Sequence, residues 1–140
     1  MTTYYCLPAG ELWIRPEGYL HLVWGPGSRD SAAAQAVFTQ VLHLLQATGY
    51  RKLLTDQRLR ATATEEYIGW LLSDWLTQVG SNRLLTHVAV VAALPLDLRL
   101  QAVDVCTEGR RRYGIKSQFF ATPEQARQWL EKPSAVETAP

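Results

Sequence analysis

After Trp24 the chain alternates short apolar runs with longer stretches whose apolar residues recur at helical spacing. Few folds accommodate this. A strand, a helix and a second strand in succession give a right-handed crossover with parallel pairing, and the crossover helices cover the sheet. The alternation begins only after three β-prone runs, Tyr4 to Leu7, Glu11 to Arg15 and Tyr19 to Trp24. Pro16-Glu17-Gly18 between the last two is turn chemistry, and so short a turn implies an antiparallel hairpin. The order β-β-β-α-β-α-β-α-β-α therefore predicts an α/β fold. Its sheet is mixed and mainly parallel, of about five strands, with an N-terminal antiparallel hairpin and four covering helices.

Local signals place each element. Gly25-Pro26-Gly27 ends the third strand, and Ser28 or Asp30 can cap the first helix by accepting from its free N–H groups. Ala34, Val37, Phe38, Val41, Leu42 and Leu45 form its apolar stripe, and Gly49 ends it. Arg51 to Thr55 reads as a buried strand followed by Asp56. Thr62-x-x-Glu65 has the form of a capping box, ahead of the clearest stripe in the chain: Ile68, Leu71, Leu72, Trp75, Leu76 and Val79. His87 to Ala93 is almost wholly apolar, as a strand covered on both faces would be. A third helix is expected after Pro95, with Ala102, Val103, Cys106 and Tyr113 on one face and Arg110-Arg111-Arg112 in its last turn. Ile115 to Phe120 is the last strand. Thr122-Pro123-Glu124-Gln125 then opens a final helix that turns Ala126, Trp129 and Leu130 inward.

The arrangement resembles the SpoIIAA-like proteins of the STAS type, whose fold is related to the CRAL-TRIO lipid-binding domains. Four features carry the resemblance: Val23-Trp24-Gly25 at a strand end, Leu53-Leu54-Thr55-Asp56 at the next, a helix with Trp70 and Trp75, and Thr-Pro-Glu-x-Ala-x-x-Trp-Leu from Thr122 to Leu130. They span roughly residues 10 to 131. The resemblance implies a non-enzymatic regulatory module acting through protein contacts, as a homodimer or with a protein partner. By analogy with the CRAL-TRIO relatives, the alternative is a carrier of a small apolar ligand or lipid. In the anti-sigma antagonists of this family an Asp-Ser-Gly-like turn carries a phosphorylatable serine. Here Asp56-Gln57-Arg58-Leu59-Arg60 has no such serine, and Thr62 and Thr64 are the nearest hydroxyls. Thr62 reads more simply as a helix cap.

Size and charge set further bounds. A chain of 140 residues suits one domain, here residues 1–132, with a small polar tail over 133–140 that is expected to be disordered. Fourteen Lys and Arg against 13 Asp and Glu leave no basic footprint for nucleic acid. No apolar run reaches the ~20 residues that span a bilayer. Cys6 and Cys106 are far apart and read as reduced, half-buried thiols. The first residues, Met1-Thr2-Thr3-Tyr4-Tyr5, lack the basic and apolar segments of a signal peptide, so the expected location is cytoplasmic.

Chemical motifs are sparse. Gly-x-Ser-x-Gly and the phosphate-loop patterns are missing, and the three histidines are isolated in sequence. No metal or cofactor is expected, and an enzyme is the least favoured reading. The group of greatest interest is Asp56, Arg58 and Arg60, because ligands of open α/β sheets bind beyond the carboxyl ends of the strands. Two readings stand. The arginines clamp a carboxylate or phosphate, or Asp56 accepts backbone N–H bonds in its loop and the arginines are solvated. Trp70 lies off the main stripe of its helix and is a candidate contact residue for a partner.

Overall fold

A computed structural model describes residues 3–25, 31–60 and 63–132. Six strands form one sheet: β1 (Thr3–Leu7), β2 (Gly10–Arg15), β3 (Tyr19–Trp24), β4 (Lys52–Asp56), β5 (His87–Val91) and β6 (Lys116–Phe120). Their order in the sheet is their order in the chain. β1, β2 and β3 pair antiparallel, and β3 through β6 pair parallel. This is the mixed sheet that the alternation of elements predicts.

The helices are α1 (Ser31–Thr48), α2 (Glu65–Trp70), α3 (Leu76–Ser81), α4 (Leu96–Tyr113) and α5 (Pro123–Glu131). A π-helical turn over Leu71–Trp75 joins α2 to α3, so the two run on as one helical rod. The covering elements are thus four, as expected. Among the described residues no helix is long and apolar enough to cross a membrane.

Each crossover steps to the next strand in the same direction. Right-handed crossovers that all step one way leave their helices on one face of the sheet. The larger core lies there. Leu20, Leu22 and Leu53 from the strands meet Val37, Phe38 and Val41 of α1 and Trp75 of the rod. Because side chains alternate along a strand, Leu54 faces the other way from Leu53. On that second face α5 is the one helix among the described residues that packs, and Tyr19, Leu54, Ala89 and Val91 form a smaller core with Ala126 and Leu130.

Three local expectations are corrected. Thr64 is the N-cap of α2, accepting from the Tyr67 N–H at 3.1 Å, so Glu65 stands at the first helical position and not at the third place of a capping box. Thr62 lies outside the described residues, as do Pro26 to Asp30. Val103 does not share the buried face of α4; Leu98, Ala102 and Gly109 do, and Val103 is exposed. Cys6, on the edge strand, is exposed, while Cys106 is half-buried.

Candidate functional site

The carboxyl ends of β3, β4 and β5 meet the loop that runs from Gln57 toward α2. Its first bonds fix its path: Gln57 N–H donates to Val91 O at 2.9 Å, and Arg60 N–H to Gln57 O at 3.1 Å. Asp56 is 4% exposed. Its Oδ1 accepts from the Arg58 backbone N–H at 3.2 Å and from Arg58 Nε at 2.9 Å, and its Oδ2 accepts from Arg58 Nη2 at 2.7 Å. Asp56 thus accepts a backbone N–H in its loop, as one of the two sequence readings has it. The carboxylate that Arg58 holds is Asp56 itself. The bond to Asp56 holds the Arg58 guanidinium above its ordinary pKa.

Arg60 does not join Arg58. Asp56 shares the sheet face of Leu54, whereas Arg60 turns beneath α4, on the other face. There its Nη2 donates to Leu98 O at 3.3 Å and to Gln101 Oε1 at 2.9 Å. Burial lowers its pKa, against the raising effect of the Tyr67 hydroxyl and the Asp97 carboxylate. Its Nε is buried and has no hydrogen-bond partner among the described residues.

Arg60 lines a cavity of about 70 Å³ between the helices and the sheet. Thr55, Gln57, Tyr67, Cys106 and Ser117 make up the rest of its polar lining, and Trp24, Phe38 and Trp75 are among its apolar walls. Trp24 Nε1 donates to Thr55 Oγ1 at 3.1 Å, and Trp75 Nε1 donates to Phe38 O at 2.7 Å. Burial pushes the Tyr67 hydroxyl far above the usual tyrosine range, so it stays protonated. Gln57 Oε1 is buried without a partner.

Trp70 is half-buried. It stacks on Tyr67, with ring centroids 6.3 Å apart, and packs against the larger core. It is not the centre of an exposed patch. Thr64 is exposed, and its hydroxyl is engaged as the cap of α2.

An exposed apolar surface lies elsewhere. Leu94 is 89% exposed, Leu96 61%, Leu100 53% and Val103 41%. Positions 96, 100 and 103 follow one face of α4 at spacings of four and three. Leu59, 60% exposed, precedes Arg60, whose guanidinium is bonded to α4. The signal for this surface was present in the sequence as a second apolar stripe on α4, out of phase with the buried one.

On the second sheet face a groove of about 330 Å³ runs between β3 and α5, lined by Arg15, Glu17, Tyr19, His21, Glu124 and Arg127. His21 points away from Leu20 and Leu22, as its alternation with them predicts. Its Nδ1 accepts from Arg15 Nη2 at 3.0 Å, and its Nε2 is buried without a partner. Burial first, and then Arg15, lower its pKa to about 4. The Arg127 guanidinium is already paired with Glu124 and Glu131. Beyond the groove Tyr4 and Trp13 stack at 4.4 Å with the Arg15 guanidinium over the indole. Among the described residues no group of His, Cys, Asp or Glu is placed to hold a metal ion. No protein-family model, curated protein or solved structure matches the chain.

Proposed function

We propose that this chain is a non-enzymatic, STAS-like interaction module that pairs with a second copy of itself through the exposed face of α4. The observation that carries this reading is the set of exposed apolar side chains Leu94, Leu96, Leu100 and Val103 on and just before α4, with Leu59 exposed beside Arg60. Five side chains at these exposures offer on the order of 500 Å² per copy, the size of the largest patches on soluble monomers. A two-fold contact would bury about 1,000 Å² in total, the lower bound for a specific interface.

Charge favours self-pairing over an unrelated partner. The N-terminal half of α4 exposes Asp97 and Asp104 against one arginine, Arg99, and its last turn exposes Arg110 and Arg111, of which Arg111 is paired with Glu108. Two copies of α4 crossing antiparallel bring the acidic half of each toward the basic end of the other. Their helix dipoles also oppose favourably. The order of elements supports the STAS-like assignment: an N-terminal hairpin, three crossovers and a closing helix that begins Thr122-Pro123-Glu124.

Other readings draw less support. A carrier of an apolar ligand or lipid needs a cavity of about 300 Å³ or more, and the apolar cavity is about 70 Å³. An enzyme built on Asp56 and Arg58 would need a free carboxylate, and both Asp56 oxygens are held by Arg58. The self-pairing reading is tested with Leu100→Asp. Leu100 is exposed in the monomer, so the change should leave the fold intact and abolish association. A variant that associates as strongly as the parent would remove α4 as the interface.

A further inference from the structure

We propose that the cavity beneath α4 is a binding site for a small monocarboxylate of acetate to propionate size, with Arg60 as its counter-ion. The proposal is independent of self-pairing. It starts from an imbalance of charge. Arg60 is a largely buried cation, and no carboxylate among the described residues forms an ion pair with it. Its bonded partners, Leu98 O and Gln101 Oε1, are neutral. Asp97 acts on it only through space, from the exposed first turn of α4. A buried cation without a paired anion is costly, and a buried N–H without an acceptor adds to that cost.

The same cavity holds a second unsatisfied group. Gln57 is 8% exposed, its Nε2 makes a long 3.5 Å contact with Thr55 Oγ1, and its Oε1 has no partner. Tyr67, 3% exposed, brings a protonated hydroxyl to the cavity wall. The polar lining thus holds the Arg60 guanidinium, the Gln57 amide and the Tyr67 hydroxyl, together with Thr55 and the hydrogen-bonded pair of Cys106 and Ser117. A carboxylate suits the donors. A hydroxyl on the adjacent carbon would suit Gln57.

Size and position restrict the rest of the ligand. About 70 Å³ is a little more than twice the share of one liquid water, about 30 Å³. One or two carbons beyond the carboxylate fill it, and the walls that would meet them are Trp24, Phe38, Leu71 and Trp75. The cavity lies between the helices and the sheet, with Thr55, Gln57 and Val90 toward the carboxyl ends of β4 and β5 and Leu53, Val88 and Ser117 farther back along the strands.

Two tryptophans in the wall supply the readout. The full chain is titrated with sodium propionate at constant ionic strength, following tryptophan emission and Tm, with sodium chloride and 1-propanol as controls. The proposal predicts a saturable change of emission with propionate and a Tm rise of at least about 5 °C at a hundredfold excess over Kd. It predicts none with chloride or propanol, and loss of at least tenfold in affinity in Arg60→Gln. Should that variant fail to fold, the parent chain decides by itself: propionate methyl protons should show nuclear Overhauser contacts to the indoles of Trp24 and Trp75. No saturable response, an equal response to propanol, or undiminished binding by Arg60→Gln would overturn the proposal and leave the cavity to water.

Discussion

The Arg58 guanidinium holds both carboxylate oxygens of Asp56, two residues back along the chain, at 2.9 and 2.7 Å. The pair closes the end of β4 on itself. The carboxylate is buried, while the Arg58 side chain is 51% exposed. The two halves therefore differ in what their loss would do.

Asp56→Ala removes the acceptor of the Arg58 backbone N–H as well as the ion pair. It is expected to cost about 1–2 kcal/mol of stability, as removal of a cap-like carboxylate does. Arg58→Ala leaves a carboxylate that water can reach from the exposed side, and should cost less than about 1 kcal/mol. Urea unfolding of both variants checks the order. A larger loss for Arg58→Ala would show that the carboxylate depends on the guanidinium more than its geometry implies.

His21 makes stability depend on pH. Its folded pKa, about 4, lies below the ordinary histidine value. Between about pH 6.5 and 4 the unfolded chain binds the proton that the folded chain refuses. The contribution of His21 is thus fully present above about pH 6.5 and is lost as pH falls toward 4. With partial exposure discounted, it amounts to about 2 kcal/mol. His21→Gln cannot titrate, so its stability should fall less steeply over that window. Parallel slopes for parent and variant would contradict the assignment.

Gly80 lies where α3 meets the end of α4. A Cβ there would overlap the ring of Tyr113, whose hydroxyl oxygen accepts a hydrogen bond from Arg112 Nη2 at 3.1 Å. Gly80→Ala must displace that ring, and is expected to lose about 1–3 kcal/mol despite the better helix propensity of alanine. Gly69→Ala, with nothing near its Cβ, should be neutral or slightly stabilising. Thermal unfolding of the two variants separates the effects.

These sites show what could be read from the sequence. Helical stripes, terminal glycines and the Pro16-Glu17-Gly18 turn are local signals, and they placed the strands and helices. The face of His21 followed from its alternation with Leu20 and Leu22. The end of β4 was harder. Arg58 and Arg60 are two residues apart in sequence, but Arg58 bonds Asp56 on one sheet face and Arg60 reaches Gln101 beneath α4 on the other. The position of α4 decides this, and it lies about forty residues further on. Gln57 and Tyr67 meet Trp24 only across the folded cavity, so no local spacing announces them. Val103 was misplaced because Ala102 beside it is buried, and neighbours on a helix lie about 100° apart. The Thr-x-x-Glu spacing assigns the cap of α2 to Thr62, whereas the cap is Thr64, because the helix starts at Glu65 itself.

Self-pairing through α4 remains the central claim, and the mass of the chain in solution tests it most directly. Sedimentation equilibrium across micromolar concentrations should give a mass that rises toward twice the 15.8 kDa of one chain, and Leu100→Asp should stay at the single-chain mass throughout. A parent chain that holds the single-chain mass at every concentration would contradict the account.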